Sequence, residues 1–419
     1  MLNIRHFDPA CNFLFVLGAI DPEMFIISRE LDAARVPWTW AYTSAPAGVR
    51  GEYPIRAPAD AYRACDLRSE LRSELRIEPP SIIVWVECRP DGQSRSDLER
   101  RGDAVIDHHD PRKAYRDSYE ESSVAQVLAT ARYYACGQDG GHLRPDGVAA
   151  LERLMIRMTA PDAQHTGLSL RADLRVAGAV DHCLVAAMSG RAIGVDRDDA
   201  LQSCAAMACD TDLAKLKGTR PEADSREMYL AQIEAAQAIL RAAPKITLGD
   251  MEVCDLLSHE GKISALPVAA AHAGLAYVIE TPARPGVPAT CALGGATTPR
   301  AVRVFAELAR DAFVSEIPYA PALRSFAGMG EAHDGVYAFP ERGFAGVYLP
   351  AEVFCESLRC EALQRLAELI LGSGAFGLCL MLAAEHATAG ADAVREMIDV
   401  RRAVRAAMRR AYEMGAVHG

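Results

Sequence analysis

The segment Val105-Ile106-Asp107-His108-His109-Asp110-Pro111 is the sharpest chemical signal in this chain of 419 residues. A short apolar strand, Ala104–Ile106, runs into an acid and two imidazoles. Open α/β sheets place their ligands beyond the C-terminal ends of their strands. Adjacent imidazoles point in different directions, so one can ligate a metal while the other meets a phosphate or a hydrogen-bond acceptor. Taken alone, the tripeptide suits a surface loop better than a site. Two earlier strands change that weighting. Phe13–Ala19 runs into Asp21-Pro22-Glu23, and Ile82–Val86 runs into Glu87. Three parallel strands would then deliver Asp21, Glu23, Glu87, Asp107 and His108 to one edge. Hard carboxylates with an imidazole are what Mn²⁺ or Mg²⁺ takes. Two such ions about 4 Å apart would clamp a phosphoryl group and generate a hydroxide between them.

The elements that must position these residues alternate. Asn12–Ala19 is a continuous apolar run, as in a buried parallel strand. Pro22–Ala34 has helical spacing, Val36–Tyr42 is strand-like, and Ala59–Ile77 is polar, helix or loop. Ser81–Cys88 is a second buried strand, followed by the short strand Ala104–Ile106. Helices are predicted at Ser122–Tyr134, Gly147–Met158, Leu174–Met188 and Ser225–Arg241, the last stopping at Pro244. This order argues for an α/β fold, a parallel sheet flanked by helices. A smaller α+β domain should follow, with strands at Leu275–Glu280, Ala289–Leu293, Val336–Phe339 and Gly346–Leu349. Its predicted helices are Pro299–Phe313, Glu361–Leu371 and Ala391–Met414. The expected domains are 1–243, with a helical connector at about 190–243, and 244–419.

The order of these segments resembles the DHH phosphoesterase superfamily, which includes RecJ-type exonucleases, nano-RNases and cyclic-dinucleotide phosphodiesterases. Asp107-His108-His109 matches its namesake motif, and Ser122-Ser123 resembles the serine pair that follows. Asp21-Pro22-Glu23 sits where the family has His-x-Asp-x-Asp, and Glu87 where it has a lone Asp. The apolar helix entering Asp181 resembles the fourth acidic motif, with Asp162 as the alternative. The resemblance implies a DHH-like N-terminal domain with Asp21, Glu23, Glu87, His108 and Asp181 holding one or two Mn²⁺ or Mg²⁺ ions. It implies that Asp107 orients a histidine and that His109 neutralises phosphate charge. The chain departs from the family at Ala19, in place of the first histidine, and at Glu23 and Glu87, in place of aspartates. Each Glu keeps the charge on an arm one methylene longer.

The C-terminal domain occupies the position of the family's substrate-binding domain, often called DHHA1. Gly294-Gly295-Ala296-Thr297-Thr298-Pro299-Arg300 has two glycines after a strand, a Thr cap and a Pro at the first helical turn. Such a segment exposes backbone N–H groups that suit an anion, or makes an ordinary tight turn. Gly294, Gly295, Thr297 and Arg300 are the candidate substrate contacts. Arg342 is a further one, and His333, ending Gly328-Met329-Gly330-Glu331-Ala332-His333, echoes the family's glycine-rich loop.

Composition bounds the rest. Half the residues are apolar, which excludes a disordered chain. The formal net charge of −11 argues against a broad binder of duplex nucleic acid or anionic membrane. The 12 cysteines form no CxxC pair, which disfavours a thiolate zinc cage and suits a reduced compartment. No signal peptide or run of membrane-spanning length is evident, so a cytoplasmic protein is expected. The expected function is metal-dependent hydrolysis of a phosphodiester or phosphoanhydride in a short oligonucleotide or nucleotide-like substrate. A non-catalytic DHH-like nucleotide- or partner-binding protein and a pyrophosphatase or polyphosphatase are the alternatives. A homodimer is compatible with each.

Overall fold

The computed structural model describes residues 4–42, 61, 64–73, 76, 78–108, 116–137, 143–160, 169–248, 250–256, 259, 261–281, 289–303, 305, 336–339 and 344–349. The chain forms two compact units, Met1–Ala231 and Gln232–Gly419. The division falls within the helix Arg226–Ala242.

The first unit is built on strands β1 (Phe13–Leu17), β2 (Trp38–Trp40), β3 (Ile82–Val86) and β4 (Ala104–Ile106). All are parallel, in the order β2-β1-β3-β4. Every residue of FLFVL and IIVWV is buried. That explains why both strands read as unbroken apolar runs rather than alternating ones: neither face of the sheet meets water. Helix α1 (Pro22–Ala34) returns the chain from β1 to β2. Asp21 caps it by accepting the Met24 N–H at 2.7 Å, and Pro22 occupies its first turn. The chain then crosses to the other side of β1 to lay down β3 and β4. The strand order therefore reverses between β1 and β3, the crevice in which open α/β sheets bind their ligands.

The edge strand β4 is only three residues long and needs an anchor. Asp103 supplies it. Its fully buried carboxylate accepts from the Ile83 N–H at 3.1 Å and from Trp85 Nε1 at 3.3 Å, and it pairs with Arg68 of α2 (Leu67–Ser73). This fixes where Asp107 and His108 emerge. The strand ends are tied as well: the Gly18 N–H donates to the Val86 carbonyl at 2.8 Å, and the Glu87 N–H to the Ile106 carbonyl at 2.7 Å.

Further helices cover the sheet: α3 (Arg95–Arg100), α4 (Ser123–Ala135), α5 (Pro145–Thr159), α6 (Ala172–His182), α7 (Leu184–Met188), α8 (Arg197–Ala208) and α9 (Thr211–Lys217). The single helix expected over Leu174–Met188 is two, broken at Cys183 with φ −139° and ψ 54°. Phe15, Leu17, Met24, Ile27, Leu128 and Leu154 belong to one buried core that joins the sheet to α1, α4 and α5. Side chains like these stabilise the fold by about 2 kcal/mol each.

The helix α10 (Arg226–Ala242), whose second part belongs to the second unit, leads into a six-stranded sheet in the order β5-β6-β7-β8-β10-β9. The strands are β5 (Lys245–Leu248), β6 (Met251–Leu256), β7 (Ala276–Thr281), β8 (Ala289–Gly295), β9 (Val336–Phe339) and β10 (Phe344–Leu349). Only β6 and β7 pair in parallel, joined through α11 (Leu266–Ala273); the other pairs are antiparallel. The β5–β6 hairpin has no counterpart in the sequence reading, because its polar residues obscure the alternation. The helices expected at Glu361–Leu371 and Ala391–Met414 lie outside the described residues. Among the described residues, no helix is long and apolar enough to cross a membrane. The cysteines whose side chains are described are free thiols.

Candidate metal centre

Four side chains converge beyond the β1 and β3 ends. Glu23, Glu87, His108 and Asp181 each present a ligand atom within 4.8 Å of the others. They come from four elements: the first turn of α1, the residue after β3, the turn after β4 and the last turn of α6. The His108 Nδ1 lies 3.2 Å from Glu23 Oε2, 3.0 Å from Glu87 Oε1 and 3.2 Å from Ser123 Oγ. Ser123 Oγ donates to Glu87 Oε1 at 2.6 Å, so its lone pairs face His108. Glu87 Oε1 and Ser123 Oγ beside Nδ1 favour the tautomer with its proton there. The Nε2 lone pair then points toward Asp181, whose Oδ2 is 3.5 Å away.

Burial makes this group costly without a cation. The Glu23 and His108 side chains are 0% and 1% exposed. Burial, and then the charges of Asp181 and Glu87, hold both the Glu23 and Asp21 carboxyls well above their ordinary range. The Glu23 Oε2 atom is buried without a hydrogen-bond partner. An orphaned carboxylate oxygen and a ligand set of three carboxylates and one imidazole fit a divalent cation.

Backbone geometry makes the convergence possible. Glu87 adopts φ +48°, a left-handed conformation that a non-glycine residue rarely holds and that clusters at functional sites. Gly18 lies against it: a Cβ there would overlap the Glu87 carbonyl oxygen. The N-terminus of α4 meets Glu23, whose Oε1 accepts the Val124 N–H at 2.8 Å. Ser122, the α4 cap, packs against Gly178 of α6. A Cβ at Gly178 would stand 2.5 Å from Ser122 Oγ and 3.5 Å from Glu23 Oε1. His182 lies edge-on to His108, ring centroids 5.3 Å apart, and its Nε2 donates to the Arg116 carbonyl at 3.0 Å.

The structure sorts the sequence candidates. Glu23, Glu87, His108 and Asp181 are brought together. Asp21 is not a member of that group; as the cap of α1 its side chain accepts the Met24 N–H, while its charge still couples to Asp181 and Glu87. Asp107 is buried beside them in sequence. His109 and Asp162 lie outside the described residues, as do His333 and Arg342. In the second unit, Gly294 and Gly295 pair with Tyr277 and Ala276 of β7. A Cβ at Gly294 would meet the Tyr277 hydroxyl at 2.9 Å, and Gly295 has φ +84°. Gly295 is thus required by its left-handed backbone and by the Leu275 carbonyl oxygen, which a Cβ there would overlap, while Gly294 lies against the Tyr277 ring. The helix cap is Thr298, directly before Pro299: its Oγ1 accepts the Ala301 N–H at 3.1 Å and donates to Asp250 at 2.7 Å. Arg300 is exposed.

Sequence reasoning missed Gly18, Gly178 and the Val124 N–H. A glycine in a helix interior costs roughly 1 kcal/mol against alanine, so Gly178 is itself a signal of close packing. Gly18, directly after a buried strand, carries the same signal. The Val124 amide has no sequence signature.

No known protein-family profile matches the chain, and no curated protein sequence does. Among solved structures, it is similar to the pGpG-specific phosphodiesterase PggH from Vibrio cholerae. The identity is 11%, over 85% of this chain and 99% of that chain, with a TM-score of 0.29. An overlap that loose fixes no function.

Proposed function

We propose that this protein is a metal-dependent phosphoesterase of the DHH type. It would hydrolyse a phosphodiester or phosphoanhydride of a short oligonucleotide or nucleotide-like substrate. The observation that supports this reading is the buried group Glu23, Glu87, His108 and Asp181 at the strand-order reversal. A bound Mn²⁺ or Mg²⁺ supplies Lewis acidity toward a phosphoryl oxygen and lowers the pKa of water. The chain's own residues do the rest. Glu23, Glu87 and Asp181 contribute negative charge that only a cation or protons can offset. Ser123 fixes Glu87 and the His108 ring. The Val124 N–H at the α4 N-terminus favours the charged form of Glu23 and partly offsets the burial and neighbouring charges that raise it. The net charge of −11 favours a small substrate over a long duplex.

The test is metal content of the purified protein, paired with Mn²⁺-dependent hydrolysis of bis(p-nitrophenyl) phosphate. Wild type is compared with His108→Ala and Asp181→Ala. Bound metal and turnover that falls at least about 100-fold in both variants are expected. Turnover unchanged in His108→Ala overturns the proposal. One observation favours a second reading, a non-catalytic DHH-like nucleotide-binding protein: with Asp21 serving as a cap, the described residues present one ligand group rather than two. Stoichiometric metal without turnover selects it.

A further inference from the structure

The α1–α6 helix pair carries the metal-ligand group at one end. Glu23 lies in the first turn of α1 and Asp181 in the last turn of α6. The other end holds a different network, seven residues or about 10 Å along α1. There Glu30 accepts from Arg171, just before α6, at 2.8 Å and from Arg157 of α5 at 3.2 Å. Beside this network opens a cleft of about 740 Å³, built entirely within the first unit.

Three helices give the cleft complete faces. Ile26, Arg29, Glu30 and Ala33 line it from α1, at the i, i+3, i+4, i+7 spacing of one helical stripe. Asp199, Gln202, Ser203, Ala206 and Met207 repeat that pattern on α8, and α6 adds Asp173, Val176 and Ala177. Arg157, Arg171 and Arg226 complete the lining. With Arg29, which also pairs with Asp210 at 3.7 Å, they set four guanidinium groups among the carboxylates of Glu30, Asp173 and Asp199. Glu30 is shared by two arginines. The second partner of Arg171, Asp173, has a side chain 68% exposed, so its bond is readily exchanged for one to an incoming anion.

We propose that this cleft is a second ligand site, taking a phosphate monoester with a flat apolar body, of the size of a nucleoside monophosphate. Guanidinium forks match phosphate oxygens in pairs. The volume lies within the roughly 300–1,000 Å³ of small-molecule sites and exceeds what a bare oxyanion fills. Ile26, Ala33, Ala206 and Met207 supply the apolar wall, with a polarizable thioether in Met207. The site stands independently of the reaction proposed for the metal centre.

The test is calorimetric titration of AMP and of inorganic phosphate into the full-length protein in EDTA. Wild type is compared with the double charge reversal Arg29→Glu/Arg226→Glu and with His108→Ala. Both arginines are exposed, though Arg29 pairs with Asp210 at 3.7 Å, so Tm is measured alongside and Arg226→Glu alone, which leaves that pair in place, should show the same direction of loss. AMP affinity should fall at least about tenfold in the double variant and stay within about twofold in His108→Ala. Inorganic phosphate should bind at least about tenfold more weakly than AMP. Equal AMP affinity in wild type and the double variant overturns the proposal. So does loss of binding in His108→Ala alone, which places AMP at the metal centre, or the absence of AMP binding at millimolar concentration. Phosphate binding as tightly as AMP overturns the apolar half of the site.

Discussion

The Val124 backbone N–H donates to Glu23 Oε1 at 2.8 Å, joining the first turns of two helices 101 residues apart. The bond aims the partial positive charge of the α4 N-terminus at a buried carboxylate and leaves Oε2 facing His108. Glutamine at position 23 keeps an acceptor for Val124 and removes the charge. Glu23→Gln should therefore melt at a higher temperature than wild type in EDTA near neutral pH. It should also bind Mn²⁺ at least about tenfold more weakly. Calorimetry measures both quantities, and a lower Tm with unchanged affinity would contradict the assignment of Glu23.

Proton linkage gives a second expectation. Burial and the neighbouring carboxylates raise Glu23 and Asp21 well above the ordinary 4.5 and 3.8. The folded state then holds protons that the unfolded chain has already released. Its stability should fall as pH rises above those ordinary values, until the folded carboxyls ionise. A divalent cation replaces the protons and should flatten the dependence. Urea midpoints between about pH 5 and 8, with EDTA or with Mn²⁺, measure it. A midpoint in EDTA that rises across this range would refute the cause.

Ser123 acts through the residues it touches. Its hydroxyl donates to Glu87 and lies 3.2 Å from His108 Nδ1, fixing both side chains. Ser123→Ala should lower Mn²⁺ affinity about 10-fold while costing about 1 kcal/mol of stability. Ser123→Thr, which restores the hydroxyl, should recover part of the affinity. A variant with wild-type affinity and only a lower Tm would show a purely structural hydroxyl.

Gly178 offers a steric test. Alanine would bring a Cβ to 2.5 Å from Ser122 Oγ and 2.9 Å from Ser122 Cβ, forcing α6 away from the start of α4. Overpacking of this kind costs about 1–3 kcal/mol. Because Asp181 lies three residues further along α6, Gly178→Ala should also weaken metal binding. Gly190→Ala is the control: a Cβ there would make only an ordinary 3.9 Å contact with Arg197 Cβ, but φ is +72°, so it should cost stability without touching metal affinity.

A buried Asp103 that is lost should loosen the site from a distance. It anchors the three-residue strand leading to His108 through Ile83, Trp85 and Arg68. Removing one partner of a buried ion pair costs about 3–5 kcal/mol. Asp103→Ala should therefore unfold at markedly lower urea, and hydrogen exchange should show β4 opening first. Undiminished protection of β4 would sink this account.

Much of the first unit was legible in the sequence. The runs around Phe13–Leu17 and Ile82–Val86 had to be buried strands, because no solvent-facing element leaves five successive apolar residues unbroken. The acids after each strand, and His108 after the third, were read in place for the same local reason. The alternation of strand and helix also implied a parallel sheet. The second unit was less legible: the polar β5–β6 hairpin escaped, and the two glycines read as the turn after a strand are themselves the last residues of β8, paired with β7.

What only the tertiary structure decided is which of those acids meet. Local periodicity specifies where strands are, not the order in which they pair, since pairing joins residues distant in the chain. The order β2-β1-β3-β4 makes β1 and β3 neighbours and so sets Glu87 beside Glu23. The capping bond to the Met24 N–H sets Asp21 apart from Glu23, two residues later. Asp181 joins them because Gly178 lets α6 pack against the cap of α4, a contact that depends on the missing side chain. Residue types carried the chemistry; the burial of like charges at one point, and hence the demand for a cation, came from packing.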